Sequence, residues 1–175
     1  QTVARMMTVD MTEIDALLSS LINAGVIHPR RTMDGDTFAF KHALLQDYTY
    51  ATILKKDRQA LHLSAAEALA DSDEASQQAN EIARHFVEAN AMERAVPYFE
   101  DAGRQAAWVS AHTEAVAHFE NALKAHRATP DGPDKERREL QLILQRISQI
   151  LVTSGLANEE IYDDTNRAVA LADQV

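Results

Sequence analysis

A ten-residue segment occurs twice in this chain, at a spacing of 20 residues. The first copy, at 93–102, is Glu-Arg-Ala-Val-Pro-Tyr-Phe-Glu-Asp-Ala, and the second, at 113–122, is Thr-Glu-Ala-Val-Ala-His-Phe-Glu-Asn-Ala. Apolar residues recur in both copies every three or four positions, which is the period of an α-helix. Each unit has room for one helix and one turn, so the duplication predicts similar helices that stack on one another in chain order.

Each copy combines one large aromatic ring with small residues. Phe119 follows Ala115 by four positions and precedes Ala122 by three, and Phe86 and Phe99 have equivalent neighbours. Small residues let two helices approach closely around one ring, so we expect these phenylalanines to fill gaps on adjoining helices. A single globular bundle would also bury them. The order of the repeat along the chain favours a helical solenoid.

The residues before the repeat predict a helix followed by a β-hairpin. Asp10 or Thr12 is suited to cap the start of the helix, and Gly25 is suited to the left-handed position at its C-terminus. Residues 26–28 and 37–40 then have the pattern of two short strands. Their predicted turn is Asp34-Gly35. A helix followed at once by a hairpin is typical of the end of a winged helix.

Further helices are predicted on both sides of the repeat. Apolar spacing indicates two helices within 42–70, one around Ile82 and two after the loop of residues 129–133. One proline interrupts the pattern. Pro97 lies in a helix expected from about Met92, where it removes one backbone donor and crowds the carbonyl of residue 93. We therefore expect either a bend there or a helix that begins later.

Two stretches resemble known families. Ala115-x-x-x-Phe119-x-x-Ala122 resembles the second helix of a tetratricopeptide repeat, with Gly103 at the small position of the first helix. Residues 38–69, which begin Phe-x-Phe-Lys-His-x-Leu-Leu-Gln-Asp, resemble the junction of bacterial STAND-class signalling ATPases. In that class an ATPase module leads through a winged helix into tetratricopeptide-like repeats. Residues 136–171 also resemble the subgroup that carries an adenylate or guanylate cyclase domain.

The resemblance implies a mainly α fold, in which a winged-helix remnant with one short β-hairpin precedes a tetratricopeptide-like superhelix. The expected segments are 1–41 for the winged-helix part, 42–75 for a linking helical hairpin and 76–175 for the repeats. The implied function is regulatory and non-catalytic: the chain would bind a protein, or pack against the ATPase, and couple that event to an effector. Two alternatives stay open, the sensor part of a nucleotide cyclase and the sensor part of a transcriptional regulator.

The resemblance also implies a role for His42. In the STAND class a histidine at the close of the winged helix reaches the phosphates of ADP. Lys41-His42-Ala43 stands at that place, with Ala43 where the family motif has an acidic residue. His42 would therefore sense nucleotide only in a longer protein that supplies the ATPase core. Alternatively, His42 caps the helix that begins near Ala43.

Trp108, which follows two alanines at the end of a predicted helix, is the chain's single tryptophan. Its indole either packs between repeats or offers a protein partner an aromatic anchor.

No catalytic or metal-binding pattern is found in the sequence. The chain lacks the Gly-x-x-x-x-Gly-Lys-Ser/Thr phosphate loop and any cyclase metal motif, so we expect no enzyme activity and no cofactor. His112, His118 and His126 do not have metal-ligand spacing, so solvated or capping roles are expected. The carboxylates are scattered, and the pair Asp163 and Asp164 is expected on a solvated helix face.

The charge argues against nucleic-acid binding. The net charge is −10, and the first helix contains Glu13 and Asp15 but no lysine or arginine. Only Arg30 and Arg31 are basic in the hairpin. The most apolar stretch, 142–152, is interrupted by polar residues, so no membrane span is expected. With no cysteine present, a cytoplasmic protein is expected. Because the chain begins at Gln1, we expect it to be part of a longer protein.

Overall fold

The computed structural model describes residues 10–32, 35–155 and 159–174. These residues form a mainly α fold with one two-stranded antiparallel sheet, as predicted. The elements in chain order are α1 (Met11–Asn23), β1 (Ile27–Thr32), β2 (Gly35–Phe40), α2 (Ala43–Thr52), α3 (Lys55–Ala70), α4 (Ala79–Glu88), α5 (Met92–Trp108), α6 (His112–Arg127), α7 (Lys135–Ser154) and α8 (Glu159–Ala172).

Helix α1 is followed by a glycine in the left-handed conformation, as predicted. Gly25 has φ +71°, and its N–H donates to the carbonyl of Ile22 at 2.9 Å. The N–H of Val26 donates to the carbonyl of Leu21 at 3.0 Å. These two bonds form a Schellman motif, which glycine adopts without the steric penalty of a Cβ atom. The chain therefore leaves α1 directly into β1.

The hairpin pairs longer strands than the sequence predicts. Ile27 lies opposite Phe40, and Pro29 lies opposite Phe38. Pro29 is tolerated because each strand of a two-stranded sheet has one free edge, where no amide donor is needed. Of the predicted turn residues, Gly35 is instead the first residue of β2, and Asp34 lies outside the described residues.

The 20-residue repeat includes the turn as well as the helix. Asn90, after α4, has φ 59°, and Ser110, after α5, has φ 61°. In the first turn the N–H of Ala91 donates to the carbonyl of Phe86 at 2.8 Å, and the equivalent bond of the second turn has the same length. Because the two turns match, the backbone follows the same path from α4 into α5 as from α5 into α6.

Helices α3 to α8, here called the helical array, pack each on the next in chain order. This order is that of a helical repeat. The tetratricopeptide-like register and the three predicted segment boundaries stay predictions. A hydrophobic core extends from α3 to α8 and contains Phe86 and Phe99, whereas Phe119 lies in a second cluster with Ala106 and Ala115. The three rings are each at most 4% exposed. The predicted burial of the three rings is confirmed. The other core members include Ala66, Ile82, Leu142, Ile143 and Leu171.

Gly103 shows how closely two of these helices approach. A Cβ atom placed on Gly103 in α5 would lie 2.8 Å from the Cε1 and Cζ atoms of Phe119 in α6. The ring thus occupies the space that a side chain at position 103 would need. This contact confirms that Phe119 fills a gap left by a small residue of the adjoining helix.

Two details of the helical array differ from expectation. Helix α5 begins at Met92, so a start delayed by Pro97 is wrong. Burial of Ala95, Val96 and Phe99 in the first turns stabilises the helix despite the missing donor at the exposed Pro97. The bend at Pro97 stays a prediction. Tyr98, expected to lie off the buried stripe, is half-buried, and its ring centroid is 5.6 Å from that of Phe86.

Candidate functional site

Residues 10–54, here called the amino-terminal part, bury little of their apolar surface. Among their described side chains, Ile14 and Ile27 are buried. No residue of α2 is buried, and Leu44 is 84% exposed. Large apolar side chains left in water are typical of surfaces that another polypeptide covers. The exposed set in this part is Leu17, Leu21, Phe38, Leu44, Tyr48, Tyr50 and Leu54.

His42 occupies the N-cap position of α2 with an extended backbone, φ −132° and ψ 124°. Its carbonyl oxygen accepts from the N–H of Leu45 at 3.1 Å and of Gln46 at 3.2 Å. The exposed imidazole makes no capping hydrogen bond. His42 therefore caps α2, as predicted, but it does so through its backbone and not through its side chain. The nucleotide-sensing role of His42 stays a prediction.

Trp108 is 89% exposed, so its predicted packing between repeats is wrong. It is the last residue of α5, and the 20-residue repeat places it at the position of Glu88, which ends α4 and is also exposed. This position of the repeat faces water, and so the indole does too. An anchor role toward a protein partner remains a prediction for Trp108.

Hydrogen bonds between the polar atoms of three aromatic side chains join three helices, an arrangement that the sequence did not reveal. The hydroxyl of Tyr50 in α2 lies 2.9 Å from Nε2 of His62 in α3. On the other side of that ring, Nδ1 of His62 lies 2.8 Å from Nδ1 of His85 in α4. The guanidinium of Arg58 covers the Tyr50 ring at 4.8 Å from its centroid. Contact between two Nδ1 atoms requires that one of them carries a proton and the other does not.

The histidine pair borders a cavity of about 380 Å³. Its lining residues are His62, Asn80, Glu81, Arg84, His85 and Glu88. Burial, reinforced by the neighbouring His62, lowers the pKa of the His85 imidazole below its ordinary 6.5, although Glu81 and Glu88 act in the opposite direction. Above pH 6.5 the neutral form of His85 is therefore favoured.

The other histidines of interest lie apart from one another. Nδ1 of His112 lies 2.8 Å from Oε1 of Gln149, and Nε2 of His126 lies 2.9 Å from the carbonyl oxygen of Lys135. His126 is only 7% exposed, so the expectation of a solvated or helix-capping residue is wrong there. Burial lowers the pKa of His118. Among the described residues, no three histidine or carboxylate side chains converge on a metal position.

The helical array also contains charged residues in its interior. Glu139 in α7 is 5% exposed and accepts from Arg127 of α6 at 2.9 Å and from Arg167 of α8 at 2.7 Å. Hydrogen bonds from Arg167 and Arg127 hold the pKa of Glu139 below its ordinary 4.5. A second carboxylate, Glu100 in α5, is buried and pairs with Arg138 of α7. Through these ion pairs the two carboxylates link α5, α6 and α8 to α7.

A third network contradicts an expectation. Asp164 was expected on a solvated face, but its side chain is 13% exposed and pairs with Arg146 of α7. Arg146 also binds Glu160 at 2.6 Å, and it is itself buried. Two buried positions of α7 are thus charged, Glu139 and Arg146. Leu144, two positions after the buried Leu142, is 52% exposed.

Sequence reasoning gave no role to Tyr50, His62 or His85, because their contacts cross helix boundaries. His62 and His85 are 23 residues apart. The only local signal was that each histidine lies beside the apolar stripe of a predicted helix, a place from which a ring can reach the adjoining helix.

Among the described helices, none has the length and apolar content that crossing a bilayer requires. An uncharacterized protein of Rhizobium meliloti (strain 1021) is similar to this chain, with 29% identity over 151 residues. The match covers 83% of this chain and 15% of that protein, so the chain spans a small part of its relative's length. No family model matches the chain, and no solved structure matches it.

Proposed function

We propose that this chain is a non-catalytic, protein-binding regulatory region of a larger signal-transduction ATPase, in which the amino-terminal part contacts the ATPase and the helical array carries the signal. The observation that supports the proposal is the difference in burial between the two parts. Helix α2 has no buried residue, while Leu44 and Tyr48 on it are 84% and 71% exposed.

Energetics favour a partner for this surface. Burying one leucine or tyrosine side chain contributes roughly 1.5–3 kcal/mol. Seven large apolar side chains of the amino-terminal part are left wholly or partly in water. A surface of this composition gains more free energy from a protein partner than from remaining in water. The net charge of −10 makes a nucleic-acid partner unfavourable.

The experiment uses two separately produced proteins: this chain, and the ATPase module of the longer protein. Titration calorimetry should show binding between them. Leu44→Ser and Tyr48→Ser should each weaken that binding roughly 10- to 100-fold, because each removes about 1.5–3 kcal/mol of apolar burial.

Val169→Ser is the matched control. Val169 is 59% exposed on α8, at the far end of the helical array, so its loss should leave binding unchanged. The chain alone should hydrolyse no ATP and form no cyclic nucleotide. Absence of binding, or an equal loss of affinity in the Val169 variant, would contradict the proposal.

A further inference from the structure

The connection between the amino-terminal part and the helical array has no buried residues of its own. Among residues 43–62, which comprise α2 and the first half of α3, none is buried. The second half of α3 enters the core through Ala65, Ala66 and Ala68. The Tyr50–His62–His85 chain, together with Arg58 over the Tyr50 ring, links α2 and the start of α3 to α4.

Starting from two neutral rings, the His62–His85 contact can take up one additional proton but not two. If both rings are neutral, one Nδ1 carries the hydrogen and the other accepts it. If His62 alone is protonated, its two N–H groups can donate to the Tyr50 oxygen and to Nδ1 of His85. If both rings are protonated, each Nδ1 carries a hydrogen at a separation of 2.8 Å, and two positive charges face each other. The doubly protonated pair must separate.

Charged groups of α3 and α4 lie near the pair. Helix α4 contributes Glu81, Arg84 and Glu88 beside His85. Helix α3 contributes Arg58, which lies over the Tyr50 ring. Further along α3, Glu67 pairs with Arg94 of α5 at 2.7 Å. Arg94 also covers the Phe86 ring at 4.4 Å from its centroid. Glu81 and Glu88 favour a charged His85, but burial and the adjoining His62 outweigh them.

We propose that the His62–His85 pair is a proton-operated clasp, which holds α2 and the first half of α3 against α4 at neutral pH and releases them in acid. Opening takes up protons, because His85 is held neutral in the closed form and is free to ionise once separated. The folded pKa of His85 lies below 6.5, so the closed form is favoured above that pH and is lost as pH falls through the lowered pKa. The proposal does not depend on which protein covers the amino-terminal part.

Because the natural chain has no cysteine, two spin labels can be attached at Asp47→Cys on α2 and Thr113→Cys on α6, both exposed positions. Electron–electron double resonance then measures the distance distribution between the labels from pH 8 to pH 5. We expect one narrow distance at pH 8 and a second, open population in acid. Uptake of one proton makes the opening constant rise by up to about tenfold per pH unit.

Two variants separate the clasp from general acid unfolding. His85→Gln keeps a hydrogen-bonding group but cannot ionise, so its distance distribution should not change between pH 8 and pH 5. His118→Gln removes a histidine of α6 whose pKa is also lowered by burial, and it should open like the parent. The parent's distances staying constant over this range, or the His85 variant opening as the parent does, would overturn the proposal.

Discussion

The amino-terminal part and the helical array bury similar residues to different extents. Helices α2 and α4 are each ten residues long, yet α2 has no buried residue and α4 has four. Helix α4 lies between α3 and α5, which cover both of its sides. Phe86 of α4 is fully buried, whereas Tyr48 of α2 is 71% exposed.

This difference shows that an amphipathic pattern specifies a helix without specifying its partner. Backbone hydrogen bonds to the fourth preceding residue form α2 as readily as α4. Most of the stability of a short helix, however, comes from packing of its apolar face. The helical array supplies that packing from within the chain. The amino-terminal part receives little such packing from within the chain, which is why we propose the interaction surface there.

The largest expected effect tests whether side chains of the two parts contribute differently to the free energy of unfolding, as their different burial suggests. Phe86→Ala and Phe119→Ala should each lower the free energy of unfolding by about 3–5 kcal/mol, because each leaves a cavity in the core. Tyr48→Ala, the control, should change it by no more than about 0.5 kcal/mol. Urea unfolding followed by circular dichroism measures all three. Equal damage by Tyr48→Ala would mean that this chain buries α2 after all.

The next test concerns charge inside the helical array. Glu139→Gln should cost about 1.5–3 kcal/mol at pH 7, because two arginines lose an ionised acceptor. The folded pKa of Glu139 lies below 4.5, so its contribution is complete above that value and is lost as pH falls through the folded pKa.

The difference between the Glu139 variant and the parent should therefore shrink in acid. Urea unfolding at pH 7, 5 and 3.5 measures it. Glu136→Gln, on an exposed turn of the same helix, should change stability by no more than about 0.5 kcal/mol. A difference that stays constant down to pH 3.5 would show that the network contributes through packing rather than through charge.

A smaller effect is expected where α5 and α6 approach most closely. Gly103→Ala adds a methyl group 2.8 Å from the Phe119 ring, which is only 2% exposed. Overpacking costs about 1–3 kcal/mol, and the better helix propensity of alanine returns about 1. We therefore expect a net loss of about 1 kcal/mol in thermal or urea unfolding. Combining Gly103→Ala with Phe119→Leu should remove the clash, and additive losses in that double variant would disprove the contact.

The smallest effect is expected at a turn that occurs in both parts, after α1 in the amino-terminal part and after α4 and α5 in the helical array. The amino-terminal part places Gly25 at the left-handed position, whereas the helical array places Asn90 and Ser110 there. A left-handed serine is strained, so Ser110→Gly should raise the free energy of unfolding by about 0.5–1 kcal/mol. Asn90→Gly should gain less, because asparagine tolerates this conformation. Melting temperatures measured by calorimetry would show both gains in stability. A loss of stability in the Ser110 variant would refute the shared turn geometry.

Much of the fold could be predicted because the signals were local. Gly25 marked the end of α1, and the spacing of Phe86, Phe99 and Phe119 marked three helices and their buried faces. The burial of Trp108 was predicted wrongly because the prediction relied on the residue type. A tryptophan is expected to pack, but the repeat places it where Glu88 faces water.

The candidate site was predicted less well than the fold. His42 was found as a residue at the start of α2, yet its ring does not cap the helix. The pair His62 and His85 was missed, because the contact depends on how α3 lies on α4. Asp164 was expected to face solvent, and its ion pair with Arg146 depends likewise on the packing of α8 on α7.

The sequence by itself determined the helices, the hairpin and the turns of the repeat. These follow from backbone conformation and from hydrogen bonds between residues a few positions apart. Only the tertiary structure decided which faces are covered. On α7 the apolar residues Leu142 and Leu144 are two positions apart, but Leu142 faces the core and Leu144 is half exposed. The charged Glu139 is buried because arginines of α6 and α8 reach it, and such long-range pairing leaves no periodic trace along the chain.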